Sequence, residues 1–208
     1  MQSIVTNPHA IEEESMKIIE QNLPQLQQLS HEHREIVKRV IHTTGDLTIS
    51  ELVHIHPRAV IEGLKAVRAG RPIVTDVNML KAGINKNRLK DLGINVHCYI
   101  SDPDIAEESK QTGITRAMIS MRRAAAMASG GIIAIGNAPT ALFALCELIK
   151  EGKADPALIV GTPVGFVGAR ESKEQLMQEE NIPYITLPGT RGGSNIAASI
   201  VNALLYLA

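Results

Sequence analysis

Hydrophobic positions recur at two different spacings along the chain. Between residues 7 and 22 Ile11, Ile18 and Ile19, continued by Leu23, return at roughly helical intervals, which predicts a helix punctuated by Pro24. Ser30 is a suitable N-cap for a second helix and Gly45 a suitable stop. On that helix Ile36, Val37, Val40 and Ile41 share one face, while His42 falls opposite, beside Glu35, Lys38 and Arg39. From residue 57 the pattern changes to short apolar runs rich in Val and Ile, the signature of buried parallel strands. These are Pro72-Ile73-Val74-Thr75, Ile94 to Ile100, Ile132-Ile133-Ala134-Ile135, Ala157-Leu158-Ile159-Val160 and Tyr184-Ile185-Thr186-Leu187. Helical segments at about 103–128, 138–150, 171–180 and 194–207, with a shorter stretch near 78–91, separate them.

Alternation of strand and helix with short connections predicts the α/β class: a three-layer, doubly wound, mainly parallel sheet of about five strands, with extra N-terminal helices. Ligands of such sheets sit beyond the carboxyl ends of the strands. Neither a linker, a low-complexity tract nor a repeat divides residues 1–208, which read as a single domain.

Composition narrows the function. The 21 basic and 22 acidic residues nearly cancel, so no global field recruits nucleic acid or an acidic membrane, and anion recognition has to be local. With no Trp, two Phe and three Tyr, the chain lacks the stacking platforms of a single-strand nucleic-acid binder. Cys98 and Cys146 sit in apolar runs and read as small buried hydrophobes, which suits a reducing compartment. Met1-Gln2-Ser3-Ile4 carries no basic segment followed by an apolar stretch, and no apolar run approaches a membrane span. The expectation is a soluble, cytoplasmic protein without a membrane partner.

The last three strands each run into a glycine-rich turn and then a helix: Gly136 to Thr140, Gly161 to Gly168, and Gly189 to Asn195. Glycine admits close backbone approach and a helix N-terminus offers unpaired N–H groups, so three such turns at one sheet edge predict an extended anion cradle. None matches a dinucleotide or Walker pattern. His42 and Arg39, three residues apart, can meet the same ligand, with Ser15 of the first helix joining them. An imidazole suits proton transfer near neutrality. His31-Glu32-His33 and His54-Ile55-His56 invite a metal, but neither pair has a carboxylate or thiolate at a recognisable spacing, so no metal is expected.

Taken together, several segments resemble the precorrin-8X methylmutase family, including its cobalt-precorrin-8 branch, of corrin-ring biosynthesis. They are Arg39-Val40-Ile41-His42-Thr43-Thr44-Gly45-Asp46, Pro72-Ile73-Val74-Thr75-Asp76-Val77, Ile135-Gly136-Asn137-Ala138-Pro139-Thr140-Ala141-Leu142, Gly161 to Lys173, and Arg191-Gly192-Gly193-Ser194. The resemblance implies a flavodoxin-like fold, usually as a homodimer, and an isomerase. Its members move a methyl group from carbon 11 to carbon 12 of the macrocycle, giving hydrogenobyrinate or cobyrinate, without an external cofactor. It further implies that His42 is the proton donor and acceptor and that Ser15 and Arg39 contact the substrate. Asn137, Arg191 and Ser194 follow from the glycine-rich motifs, and Arg116 stands ready for a substrate carboxylate. Two other readings stay open at this point: a non-catalytic tetrapyrrole or nucleotide carrier, and a phosphate-binding metabolic enzyme of the same fold.

Overall fold

The computed structural model describes residues 6–179 and 181–208, so the segment Met1 to Ile4 lies outside the described residues. Helix α1, Pro8–Asn22, starts where the Asn7 side chain accepts the N–H groups of His9 and Ala10. Its apolar stripe is only partly a core face: Ile19 is buried, whereas Ile11 and Ile18 are 45% and 48% exposed. Helix α2, His31–Thr44, is capped by the Ser30 hydroxyl on the His33 N–H and closed by Gly45 at φ 64°, the left-handed stop its sequence predicts. Ile36, Val37, Val40 and Ile41 are buried as their spacing requires. Lys38 departs from expectation. Rather than lying in solvent beside His42 it is 6% exposed, with its ammonium 2.6 Å from Glu20 of α1 and 2.9 Å from Glu35.

The remaining elements alternate along the chain. Strand β1 (His54–Ile55) and α3 (Ala59–Arg68) lead to β2 (Ile73–Thr75), α4 (Asn78–Gly83), α5 (Lys86–Asp91), β3 (Val96–His97), α6 (Pro103–Thr112) and α7 (Arg116–Ala125). Then follow β4 (Ile132–Ile135), α8 (Pro139–Lys150), β5 (Leu158–Gly161), α9 (Ala169–Met177), β6 (Tyr184–Thr186) and α10 (Ser194–Leu207). The sheet order is β1-β6-β5-β4-β2-β3, with β1 antiparallel to β6 and every other pairing parallel.

Several expectations need correction. The sheet has six strands rather than about five, because β1 adds an antiparallel edge. The run from Ile94 to Ile100 contributes only Val96–His97 to the sheet, and Cys98 within it is half-buried rather than buried. The stretches near 78–91 and 103–128 each break into two helices, capped afresh by the side chains of Asn85 and Thr115. Cys146 is buried as expected, and burial pushes its thiol up to about 12, which keeps it unreactive.

The central strands are apolar on both faces, and period-two alternation divides their side chains between two cores. Ile132, Ala134, Leu158 and Val160 join residues of α2, α3 and α10. Ile133, Ile135 and Ile159 join residues of α7, α8 and α9. Helices therefore cover both faces, leaving the carboxyl edge of β2, β4, β5 and β6 as the place where turns face outward. Among the described residues no helix is long and apolar enough to cross a membrane.

Candidate active site

At the carboxyl end of β2 the chain turns Asp76 inward. Its carboxylate, 1% exposed, accepts the N–H of Gly136 at 3.1 Å and those of Asn137 and Ala138 at 2.8 Å each. Burial pushes the Asp76 carboxyl up from its ordinary value, and the N–H groups of Ala138, Gly136 and Asn137 draw it back. This corrects the first third of the anion cradle. The turn after β4 offers its N–H groups inward to a protein carboxylate, not outward to a ligand. The Asn137 side chain remains exposed at the surface of the turn. Sequence reasoning missed Asp76, although its position at a strand's carboxyl end inside a quoted motif was a usable signal.

The turns after β5 and β6 form one body. The Gly193 N–H donates to the Thr162 carbonyl at 2.8 Å, and the Gly165 N–H donates to the Thr190 carbonyl at 3.1 Å. A side chain on Gly192 would run into the Thr162 and Pro163 carbonyl oxygens. One on Gly136 would stand 2.6 Å from the Ser194 Cα, so the third turn is also packed against the first. These two glycines exist for close backbone approach. Ser194, the first residue of α10, is buried at that junction.

Beneath the joined turns lies Lys173 of α9, fully buried, its ammonium donating to the Arg191 carbonyl at 2.7 Å. Burial is the one cause that lowers this ammonium to about 8. Above, the Arg191 guanidinium is half-exposed, 2.9 Å from Asp46 Oδ2 and 3.3 Å from Thr48 Oγ1. The hydroxyl and N–H of Thr48, then Arg191, hold the Asp46 carboxyl below the usual carboxylate range.

Asp46 stands four residues beyond His42, which is exposed in the last turn of α2. The Asp46–Arg191 bridge therefore ties the His42 end of that helix to the glycine turns, residues separated by 145 positions in sequence. Arg116 opens α7, exposed, and the Thr115 hydroxyl donates to that of Thr140 at 3.0 Å. The start of α7 thus lies beside the start of α8, at the same edge as Asn137. Between Gly161 and Gly168, Val164, Phe166 and Val167 are 46%, 95% and 90% exposed, an apolar tip adjoining the Arg191 turn.

Ser15 and Arg39 form a separate group on α1 and α2. Arg39 Nη1 is 2.5 Å from Glu12 Oε1, and its guanidinium lies 5.1 Å from the centroid of Tyr206. Tyr206 is near the end of α10 remote from Ser194, so Arg39 is drawn away from the sheet edge. The Ser15 hydroxyl donates to its own helix, at the Ile11 carbonyl, 2.7 Å away, three residues from Glu12. The structure thus brings Asn137, Arg191 and Ser194 together with the end of the His42 helix, sets Arg116 at the same edge, and leaves Ser15 and Arg39 to one side. Among the described residues no three His, Cys, Asp or Glu side chains converge as metal ligands. His54 and His56, read as a possible pair, flank the Tyr184 ring at 5.7 and 5.4 Å.

The family model for precorrin-8X methylmutase matches residues 10–207. A cobalt-precorrin-8 methylmutase of Priestia megaterium is 45% identical over 205 residues, covering 99% of this chain and 90% of that protein. A precorrin-8X methylmutase of Pseudomonas aeruginosa is 39% identical over 171 residues, covering 82% of each. The crystal structure of a precorrin-8X methyl mutase from Thermus thermophilus superposes with a TM-score of 0.88 at 38% identity, covering 96% of this chain and 95% of the other.

Proposed function

The chain belongs to the precorrin-8X methylmutase family, and from that premise we propose that it moves a methyl group within the macrocycle of precorrin-8X or cobalt-precorrin-8, with His42 as proton donor and acceptor. It is an isomerase, an intramolecular methyl-transferring enzyme of corrin biosynthesis. The shift runs from carbon 11 to carbon 12, as the sequence resemblance implies, and yields hydrogenobyrinate or cobyrinate. Cobalt, where present, enters as part of the substrate.

A migration of this kind needs no nucleophile from the protein. It needs the ring held in one tautomer and one conformation, so that binding energy is used where conjugation changes. In this reading His42, exposed in the last turn of α2, gives or takes the proton that selects the tautomer. Arg191, Arg116, Asn137 and Ser194 receive the carboxylate fringe, with Arg191 exchanging Asp46 for a substrate carboxylate in bidentate pairing. Ser15 and Arg39 take a more distant carboxylate. The Glu12 partner of Arg39 is itself 43% exposed, and such a pair contributes about 0–1 kcal/mol, so an incoming anion displaces it readily. Val164, Phe166 and Val167 offer the apolar ring face its contact.

The observation that carries this reading is the Asp46–Arg191 bridge, which sets the histidine-bearing helix end against the glycine turns. The protein acts as one domain, in the cytoplasm, and as a homodimer, which sedimentation of the purified protein checks. The decisive experiment compares wild type with His42→Ala on metal-free and cobalt-bearing substrates, following the absorption change of altered conjugation. Turnover falls by about 100-fold or more while product binding persists. Full activity in the variant removes His42 from the mechanism.

A further inference from the structure

Lys173 is the one fully buried lysine among the described residues, and its known contact is a backbone carbonyl rather than a carboxylate. An ammonium buried without an anionic partner is expensive, since desolvation is not repaid by ion pairing. A methionine or leucine fills such a space at lower cost, so the charge has a use outside the core. Position supplies one. The ammonium stands beneath the Gly189–Gly193 turn and grips the carbonyl of Arg191, whose guanidinium engages Asp46 at the end of the His42 helix.

From above, the backbone of the same turn is bonded to Thr162 and Gly165, and the Arg191 side chain reaches Asp46 and Thr48. Among the described residues Lys173 is the one side chain bonded to the backbone of Arg191.

We propose that Lys173 is a positioning residue for substrate binding: its buried ammonium clamps the Arg191 carbonyl, sets where the Arg191 guanidinium stands, and so fixes the docking point of one substrate carboxylate. This rests on the methylmutase reading, in which Arg191 receives that carboxylate. Lys173 does not touch the substrate. It acts through Arg191, and its loss weakens binding while leaving the proton chemistry at His42 intact. The positive charge beneath the turn also favours an acidic ligand above it, without any rearrangement on binding.

The test uses the full chain as wild type, His42→Ala, Lys173→Met, Lys173→Gln, Lys173→Arg, Arg191→Ala and the double variant Lys173→Met/Arg191→Ala. Steady-state turnover of precorrin-8X and cobalt-precorrin-8 is measured beside the dissociation constant of hydrogenobyrinate. Lys173→Met raises KM and the product dissociation constant about tenfold, with kcat held within about twofold. Lys173→Gln, which keeps a donor without the charge, lies between, and Lys173→Arg stays closest to wild type. In the Arg191→Ala background the lysine substitution adds less than about twofold, because both act through one contact.

Unchanged KM and product affinity in Lys173→Met overturn the proposal. So does a tenfold effect that persists undiminished without the Arg191 side chain, or a fall confined to kcat. Loss of the cooperative unfolding transition in all three single lysine variants also overturns it, since the residue then serves the fold. Failure of the methylmutase reading looks different: wild type does not turn over, or His42→Ala matches it, whatever the lysine variants do to product binding.

Discussion

The turns after β4 and β6 look alike in sequence and behave in opposite ways. Each follows a buried strand, carries glycine and opens a long helix, yet the first is closed and the last is open. Asp76 has already filled the first with a protein carboxylate, so its N–H groups stabilise the fold. In the last, among the described residues, no carboxylate occupies the backbone from within; a buried cation supports it, and its own arginine projects half-exposed toward solvent. A glycine-rich turn thus marks close approach of backbone, and only the sign of the charge lodged behind it decides whether an anion is held from inside or invited from outside.

That contrast can be broken most severely at Asp76. Asp76→Ala strips three backbone N–H groups, two of them buried, of their acceptor and destabilises the protein by about 3–5 kcal/mol in urea unfolding. A change below about 1 kcal/mol means that the first turn is not closed by this carboxylate.

The corresponding change behind the last turn has another signature. The folded value of Lys173 lies at about 8, below the ordinary 10.5, so between those pH values the unfolded chain binds more protons than the native one. Wild type therefore gains stability relative to Lys173→Met as pH rises through that window, by about 3 kcal/mol at most, and the difference is flat below it. Parallel stability curves for the two proteins from pH 7 to 10 contradict the buried, uncompensated ammonium.

On the ligand side, Arg191→Ala weakens product binding about tenfold, near 1.4 kcal/mol, by titration of the corrinoid absorption. Its stability moves by less than about 1 kcal/mol, since the Asp46 pair is at the surface. The smallest effect belongs to Asn137→Ala: its backbone N–H stays on Asp76 and only an exposed side chain is lost, so stability shifts by about 0.5 kcal/mol or less. Product affinity changes about twofold in the same variant. A tenfold loss there makes the closed turn a binding turn after all.

Much of the scaffold was legible beforehand. The limits of α2 follow from Ser30 and Gly45, because capping chemistry is local. The strand Ile132–Ile135 and the helix Ser194–Leu207 match their predicted ranges, since burial of a continuous apolar run leaves few alternatives. The edge strand His54–Ile55 escaped notice because two residues carry no periodicity, and its existence depends on Tyr184 to Thr186 lying beside it. Helix α3 also went unpredicted. Gly63 in its interior weakens the helical signal, yet a side chain there would stand 2.8 Å from Leu158, so the glycine lets the helix press onto β5. Of the candidate site, Arg191, Asn137 and Ser194 were named from their turns, which the fold packs together, whereas Asp76 and Lys173 were not assigned a part.

What the sequence determined by itself is therefore what depends on neighbours a few residues away: caps, apolar runs, the glycines of the turns, and a histidine on the polar side of an early helix. What only the tertiary structure decided is which charges meet. A lysine in a polar stretch turned inward beneath a turn, an aspartate closed a loop 60 residues on, and an arginine reached an aspartate 145 residues back. Charge pairing across the fold has no sequence period, because desolvation and Coulomb attraction act through space and are settled only when the layers pack.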